Sequence, residues 1–182
     1  MKYPEYAEVA GVRYKINTDY RVALRCFEVI EDPDIGDEER ALAVVYLLFG
    51  EVPMEYIDEF LRIAGVFLRC GETQEKQASA ERDMDFQADE KYIVASFMSD
   101  YKIDISRTDM HFWLYIQLIQ GFTEGSVMSR VREIRNYDMT ELKDPKSRQK
   151  MMSAKQAVAL PEKFSKDEQT AIENFEKLFD VG

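Results

Sequence analysis

Histidine is nearly missing from this chain: its 182 residues include one, His111, beside two cysteines, Cys26 and Cys70, and a single tryptophan, Trp113. A zinc site would need His111, a cysteine and carboxylates to converge without any ligand spacing to announce them. Two cysteines without a CxxC pair exclude a disulfide scaffold, and both read as reduced core thiols of a cytosolic protein. Glycine (8) and proline (5) are sparse, which excludes collagen and low-complexity linker sequence. Long apolar runs are absent too. The longest, Ala41 to Phe49, is about half of what a membrane-spanning helix requires. The opening Met1-Lys2-Tyr3-Pro4-Glu5 lacks the basic-then-apolar pattern of a secretory signal. Neither GxGxxG nor GxxxxGK[ST] occurs, so no phosphate-cradling loop is visible. Basic side chains are outnumbered 24 to 35, and the net charge of −11 disfavours wholesale binding to nucleic acid.

What is present suits a folded domain. Apolar residues make up 46% and charged residues 32%, and a chain of this length can bury roughly 70% of its extended-chain surface. Val12, Tyr14 and Ile16 alternate with Arg13 and Lys15 behind an Ala10-Gly11 corner, the period-two signature of a β-hairpin over 6–16 with one buried face. The period then changes. Val22, Leu24, Cys26, Phe27 and Ile30 fall at helical spacing after a Thr18 or Asp19 cap, and Glu31-Asp32-Pro33-Asp34 ends that helix. Asp37-Glu38-Glu39 opens a second helix, apolar all round and therefore expected to be buried and central. A third follows Pro53 and stops at Gly71. Asp85 is placed to cap a fourth, Ser106-Arg107-Thr108-Asp109 to open a fifth over 111–120, and Ser126 to Arg135 reads as a sixth. Asp144-Pro145 opens a seventh. Beyond Pro161, Ile172, Phe175, Leu178 and Phe179 line one face of a last short helix. The fold class is thus mainly α, a bundle of about six to eight helices with an N-terminal β-hairpin. Its helical domain runs over 1–161 and an amphipathic extension over 162–182. The connection 72–84 is poor in large apolar residues, and is either mobile or a solvated extension of the third helix.

Chemistry is hard to assemble from these parts. A Cys–His pair would need a reactive, partly exposed thiolate, whereas both cysteines lie in apolar stretches. Asp83-Met84-Asp85-Phe86-Gln87-Ala88-Asp89 lacks the glycine and the twelfth-place glutamate of a calcium loop, since Val94 stands there. No catalytic, cofactor-binding or metal-binding residue is therefore assigned, and the chain reads as a non-enzyme. Charge is unevenly spread. Residues 1–124 carry net −12, residues 125–163 net +4 and residues 164–182 net −3. The basic block, which includes Arg130, Arg132 and Arg135, either complements the acidic remainder within the chain or a homo-oligomer, or grips an acidic partner or a nucleic acid. Those three arginines and the apolar face Ile172, Phe175, Leu178 and Phe179 are the candidate partner-binding residues.

Several segments together resemble the gene-product-fifteen family of long-tailed bacteriophages. They are Ile16-Asn17-Thr18-Asp19-Tyr20-Arg21 behind the hairpin, Glu31-Asp32-Pro33-Asp34, and Asp85-Phe86-Gln87-Ala88-Asp89 running on to Tyr101-Lys102-Ile103-Asp104-Ile105. His111-Phe112-Trp113 and Ala159-Leu160-Pro161 complete the series. The resemblance implies a tail assembly chaperone, similar in gene position and size to those encoded just before the tape-measure protein. Such a protein would bind and solubilise the tape-measure chain and help recruit the major tail protein around it, without catalysis, cofactor or membrane. It would act in the bacterial cytoplasm during phage assembly or from a prophage. The alternative within the same resemblance is a structural virion component such as a tail-completion or connector subunit.

Overall fold

Two strands meet where the alternation ends: β1 (Tyr6–Val9) and β2 (Val12–Lys15) pair antiparallel, with Tyr6 opposite Lys15 and Val9 opposite Val12. Ala10 (φ 49°) and Gly11 (φ 76°) both take left-handed backbone, as a two-residue primed turn demands. The structure is a computed structural model, which describes residues 3–72 and 82–161. The mainly helical fold class holds: seven α-helices accompany the hairpin among the described residues. The chain divides into two compact units.

One unit gathers Pro4–Asn17 and Val22–Gly71. It contains the hairpin, most of α1 (Tyr20–Glu31), α2 (Asp37–Phe49) and α3 (Ile57–Leu68). Its core is built on Val9, Val45 and Phe60. The Tyr14 and Phe49 rings both stand edge-on to Phe60, at 4.9 and 5.1 Å. Along α3 the buried side chains Phe60, Ala64, Phe67 and Leu68 follow helical spacing. Two details depart from the sequence reading. Of the expected inward face, Ile16 is buried and Tyr14 half-buried, but Val12, at the open tip, is 52% exposed, and β1 adds the buried pair Ala7 and Val9. The second helix is not apolar-encased: Val44, Val45 and Leu48 are buried but Tyr46 is 64% exposed. Within this unit α2 packs on α3, and along Ala41–Phe49 Tyr46 alone is exposed while the rest is buried or half-buried. The α1–α2 corner is closed by Arg40, whose guanidinium donates to the carbonyls of Val29, Asp32 and Ile35 and to Asp37 Oδ1.

The cysteines separate in role. Cys26 is fully buried, and burial pushes its thiol up to about 12. Cys70 is not a core residue. It follows α3 in left-handed backbone (φ 55°) and is only half-buried, because the turn that ends the helix needs it and Gly71 (φ 86°) there.

The other unit gathers Tyr3, Thr18–Arg21, Glu72 and 82–161. It holds α4 (Glu90–Ser96), which continues into a π-turn over Phe97–Tyr101, and α5 (Phe112–Gln120). α6 (Val127–Asn136) and α7 (Pro145–Ala157) complete it. Tyr115 on α5 sits at its centre, stacked on Tyr20 at 4.5 Å and on Phe97 at 5.4 Å, and burial raises its phenol pKa. The Tyr20 hydroxyl donates to the Ile105 carbonyl at 2.9 Å. Backbone bonds from Tyr20 N to Met110 O and from Phe112 N to Thr18 O hold residues 18–20 beside the start of α5. Ser96 is fully buried: it donates to Tyr92 O and accepts from Met128 N, joining α4 to α6.

The capping expectations for the fourth and fifth helices are corrected. Asp85 accepts from the N–H groups of Gln87 and Ala88, fixing a turn before α4 rather than its first residue. Ser106 lies in a single 3-10 turn, and α5 is capped by His111, whose Nδ1 accepts from Trp113 N at 3.1 Å. His111 is also stacked on Tyr3 at 4.9 Å, and the Tyr3 hydroxyl donates to Gln117 Oε1. The lone imidazole thus performs structural work at a helix end. Of the connection 72–84, residues 73–81 lie outside the described residues, and Asp83 is tied down by contacts to α6.

Candidate functional site

The basic block is the feature that the sequence singles out, and the structure sorts its cations into two groups. α6 is capped by Ser126, whose hydroxyl accepts from Ser129 N, and its C-terminal half carries Arg132 and Arg135 toward the segment 83–89. Arg135 is 10% exposed and grips Asp89, 1% exposed, through two parallel bonds of 2.6 and 2.7 Å. This is the bidentate geometry in which guanidinium and carboxylate match best. Its remaining donors reach the Val158 carbonyl at 2.6 Å and the Asp83 carbonyl at 2.9 Å. Asp89 also accepts from Asp85 N at 3.0 Å. Two charges are buried here, and the network supplies the partners that burial requires.

Arg132 makes a looser version of the same contact. Its Nε and terminal nitrogen both lie 2.9 Å from Asp83 Oδ2, which also accepts from Asn136 at 3.1 Å. Partial burial pushes the Asp83 carboxyl up, but the bonds from Arg132 and Asn136 and the Arg132 charge outweigh it and leave its pKa lowered. Arg135 and Arg132 therefore spend their charge inside the unit, fastening α6 to the segment before α4. Arg130 stands apart, exposed and without a side-chain ion pair among the described residues.

α7 belongs to the second group. Asp144 caps it by accepting from Ser147 N, and Pro145 occupies its first turn, as expected. No residue of α7 is buried. Its half-buried positions Met151, Ala154 and Lys155, with Val158 just past the helix, form one stripe. Lys155 Nζ donates to the Arg135 carbonyl at the end of α6 at 2.9 Å, so the C-terminal half of α7 is attached to α6. Residues 143–150 are all exposed. They carry Lys146, Arg148 and Lys150, which form no ion pair among the described residues, and α7 contains no acidic side chain.

The candidate residues Ile172, Phe175, Leu178 and Phe179 lie outside the described residues. Sequence reasoning misses Asp83 and Asp89 as partners of α6, since their partners stand 49 and 46 residues away. The only trace is a cluster of acids preceding a block of bases. Among the described residues no group of histidine, cysteine and carboxylate side chains is arranged to hold a metal ion. None of their helices is long and apolar enough to cross a membrane.

Comparison with known proteins found no similar curated protein and no similar solved structure. The model of the family described as bacteriophage Gp15 protein matches residues 2–160, nearly the whole described chain and much the same span as the segments that carry the resemblance. This chain is a member of the bacteriophage Gp15 protein family.

Proposed function

We propose that the chain is a tail assembly chaperone: it binds the tape-measure protein, keeps it soluble and helps to bring tail-tube subunits to it, with no catalytic step. The observation that carries this reading is the family match over residues 2–160, together with what the family resemblance implies about gene position and size. The physical chemistry is compatible. A tape-measure protein is a long helical chain that exposes apolar stripes until a tube encloses it, and an acidic helical protein can cover such stripes while its charge keeps the complexes apart. In the hairpin unit, Tyr46 (64% exposed), Met54 (62%) and Tyr56 flank the α2–α3 connection and offer apolar surface of the adaptable kind that such a partner would need. Several copies along one tape measure would add avidity. The site of action is the bacterial cytoplasm before tail completion.

Co-expression with the tape-measure protein encoded nearby tests this directly. The tape measure should move into the soluble fraction and co-purify with this chain, and purified virions should lack it by mass spectrometry. A tape measure that stays equally insoluble, or this chain present in stoichiometric amount in finished particles, overturns the reading. The second result would favour a structural tail component.

A further inference from the structure

The first two turns of α7 are well capped but carry a concentration of exposed positive charge. Lys146 and Arg148 lie in the first turn of the helix, at the positive end of its dipole, and Lys150 follows in the second turn. Asp144 caps the helix start, but none of the three cations forms an ion pair among the described residues, and no side chain in 145–150 is buried. These turns thus present unpaired cations and no packed side chain, a surface suited to an acidic partner. Arg130 on α6 adds a further exposed cation in the same unit.

The complementary surface is in the other unit. The α1–α2 corner, residues 31–39, holds six acids and no base: Glu31, Asp32, Asp34, Asp37, Glu38 and Glu39. Arg40 rigidifies the corner through three backbone carbonyls and one contact to Asp37, so the corner has a fixed shape. Glu38 and Glu39 are exposed and pair with no cation among the described residues. Each patch also has an exposed apolar neighbour, Met152 (51%) on α7 and Ile30 (40%) at the end of α1. Basic and acidic surfaces are thus segregated on one chain, with Lys146, Arg148 and Lys150 unpaired on one and Glu38 and Glu39 on the other among the described residues.

We infer that the first two turns of α7 dock on the acidic α1–α2 corner of a second copy of the chain. The two patches differ, so each contact joins the basic patch of one copy to the acidic patch of another; exchanged reciprocally it closes a two-fold dimer, and repeated head-to-tail it builds a ring or row. The association is chiefly ionic and therefore sensitive to salt, because exposed charges are screened over about 10 Å at 0.1 M and about 3 Å at 1 M. This inference does not rest on the chaperone reading, and its test needs no tape measure.

The test is sedimentation velocity on the full chain at about 1 to 100 μM, the range in which a contact of this modest kind forms. The wild type should associate with rising concentration at low salt and return to monomer in about 0.5 M NaCl. The variants K146E/R148E/K150E and E38K/E39K should each weaken association by about tenfold or more. Mixed in equal amounts they should recover it, since each supplies a patch that fits the other. All altered side chains are exposed, and circular dichroism on each variant confirms folding; the neutralised K146Q/R148Q/K150Q serves if a reversed one fails to fold. A wild type that stays monomeric over this range overturns the inference. So does association that neither variant weakens, or weakening that the mixture does not reverse.

Discussion

Replacing Arg135 with methionine keeps most of the aliphatic stem and deletes the guanidinium, and its cost can be worked from the contacts it makes. Asp89 stays 1% exposed and keeps its bond from Asp85 N, but loses both bonds to the guanidinium. The carbonyls of Val158 and Asp83 lose a donor each. Charge-assisted bonds contribute about 1.5–3 kcal/mol each, and removing one partner of a buried ion pair costs about 3–5 kcal/mol in total. The expected loss is about 4 kcal/mol, close to the whole stability of a modest domain. Arg132→Met provides the contrast. Its side chain is 45% exposed and its partner Asp83 24%, so screening reduces its loss to about 1 kcal/mol or less. Trp113, the only tryptophan, lies in the same unit as Arg135, so its fluorescence during urea titration reports on the unit that carries the pair. The double variant Asp89→Leu/Arg135→Met should recover part of the loss by removing the stranded carboxylate with its partner. If Arg135→Met costs less than about 1 kcal/mol, or no more than Arg132→Met, the pair does not clasp α6 to the segment before α4.

Three further outcomes follow from particular contacts. At Gly121 a Cβ would stand 2.9 Å from the Tyr101 hydroxyl, which donates to Leu118 O, so Gly121→Ala should displace that ring and cost about 1–3 kcal/mol in thermal denaturation; an unchanged melting temperature would contradict the packing. Cys26, buried and with its thiol pushed up to about 12, should react with a thiol reagent at neutral pH only as the protein unfolds, whereas half-buried Cys70 labels faster; equal rates in the native protein would show that the α1 core is open. Asp19 and Asp83 both have lowered pKa values: burial raises each, but the Arg21 contacts outweigh it at Asp19, and the Arg132 and Asn136 contacts at Asp83. A folded-state pKa below the unfolded one contributes stability that is complete above the ordinary aspartate value of 3.8 and disappears as pH falls through the lower folded value. Urea midpoints should therefore decline below pH 3.8, and less steeply in Asp83→Asn; a variant that declines as steeply as the wild type would remove Asp83 from the account.

Local chemistry explains which elements are legible in the amino-acid sequence. The Ala10-Gly11 turn, the proline after α1, Ser126 and Asp144-Pro145 act within a few residues, so their consequences appear directly in the string of letters. Capping is less secure where several polar residues compete. Ser106, Thr108 and Asp109 all suit a cap, yet the backbone pairing of residues 18–20 with 110–112 places His111 at the helix start instead. The apolar run of α2 overstates its burial, because such a run shows a capacity for burial and the neighbours decide how much of it is used.

The sequence by itself determined the helix-rich composition of the fold, the hairpin, most helix limits, the charge segregation and the family, because each depends on residue types within short windows or on their order along the chain. Tertiary structure alone decided that Arg135 and Arg132 turn inward to Asp89 and Asp83 while Lys146, Arg148 and Lys150 stay in solvent. A cation's use depends on which carboxylate the fold brings within about 3 Å, since attraction falls with distance and is screened in water. No window of sequence holds both partners of a pair whose members lie 46 residues apart.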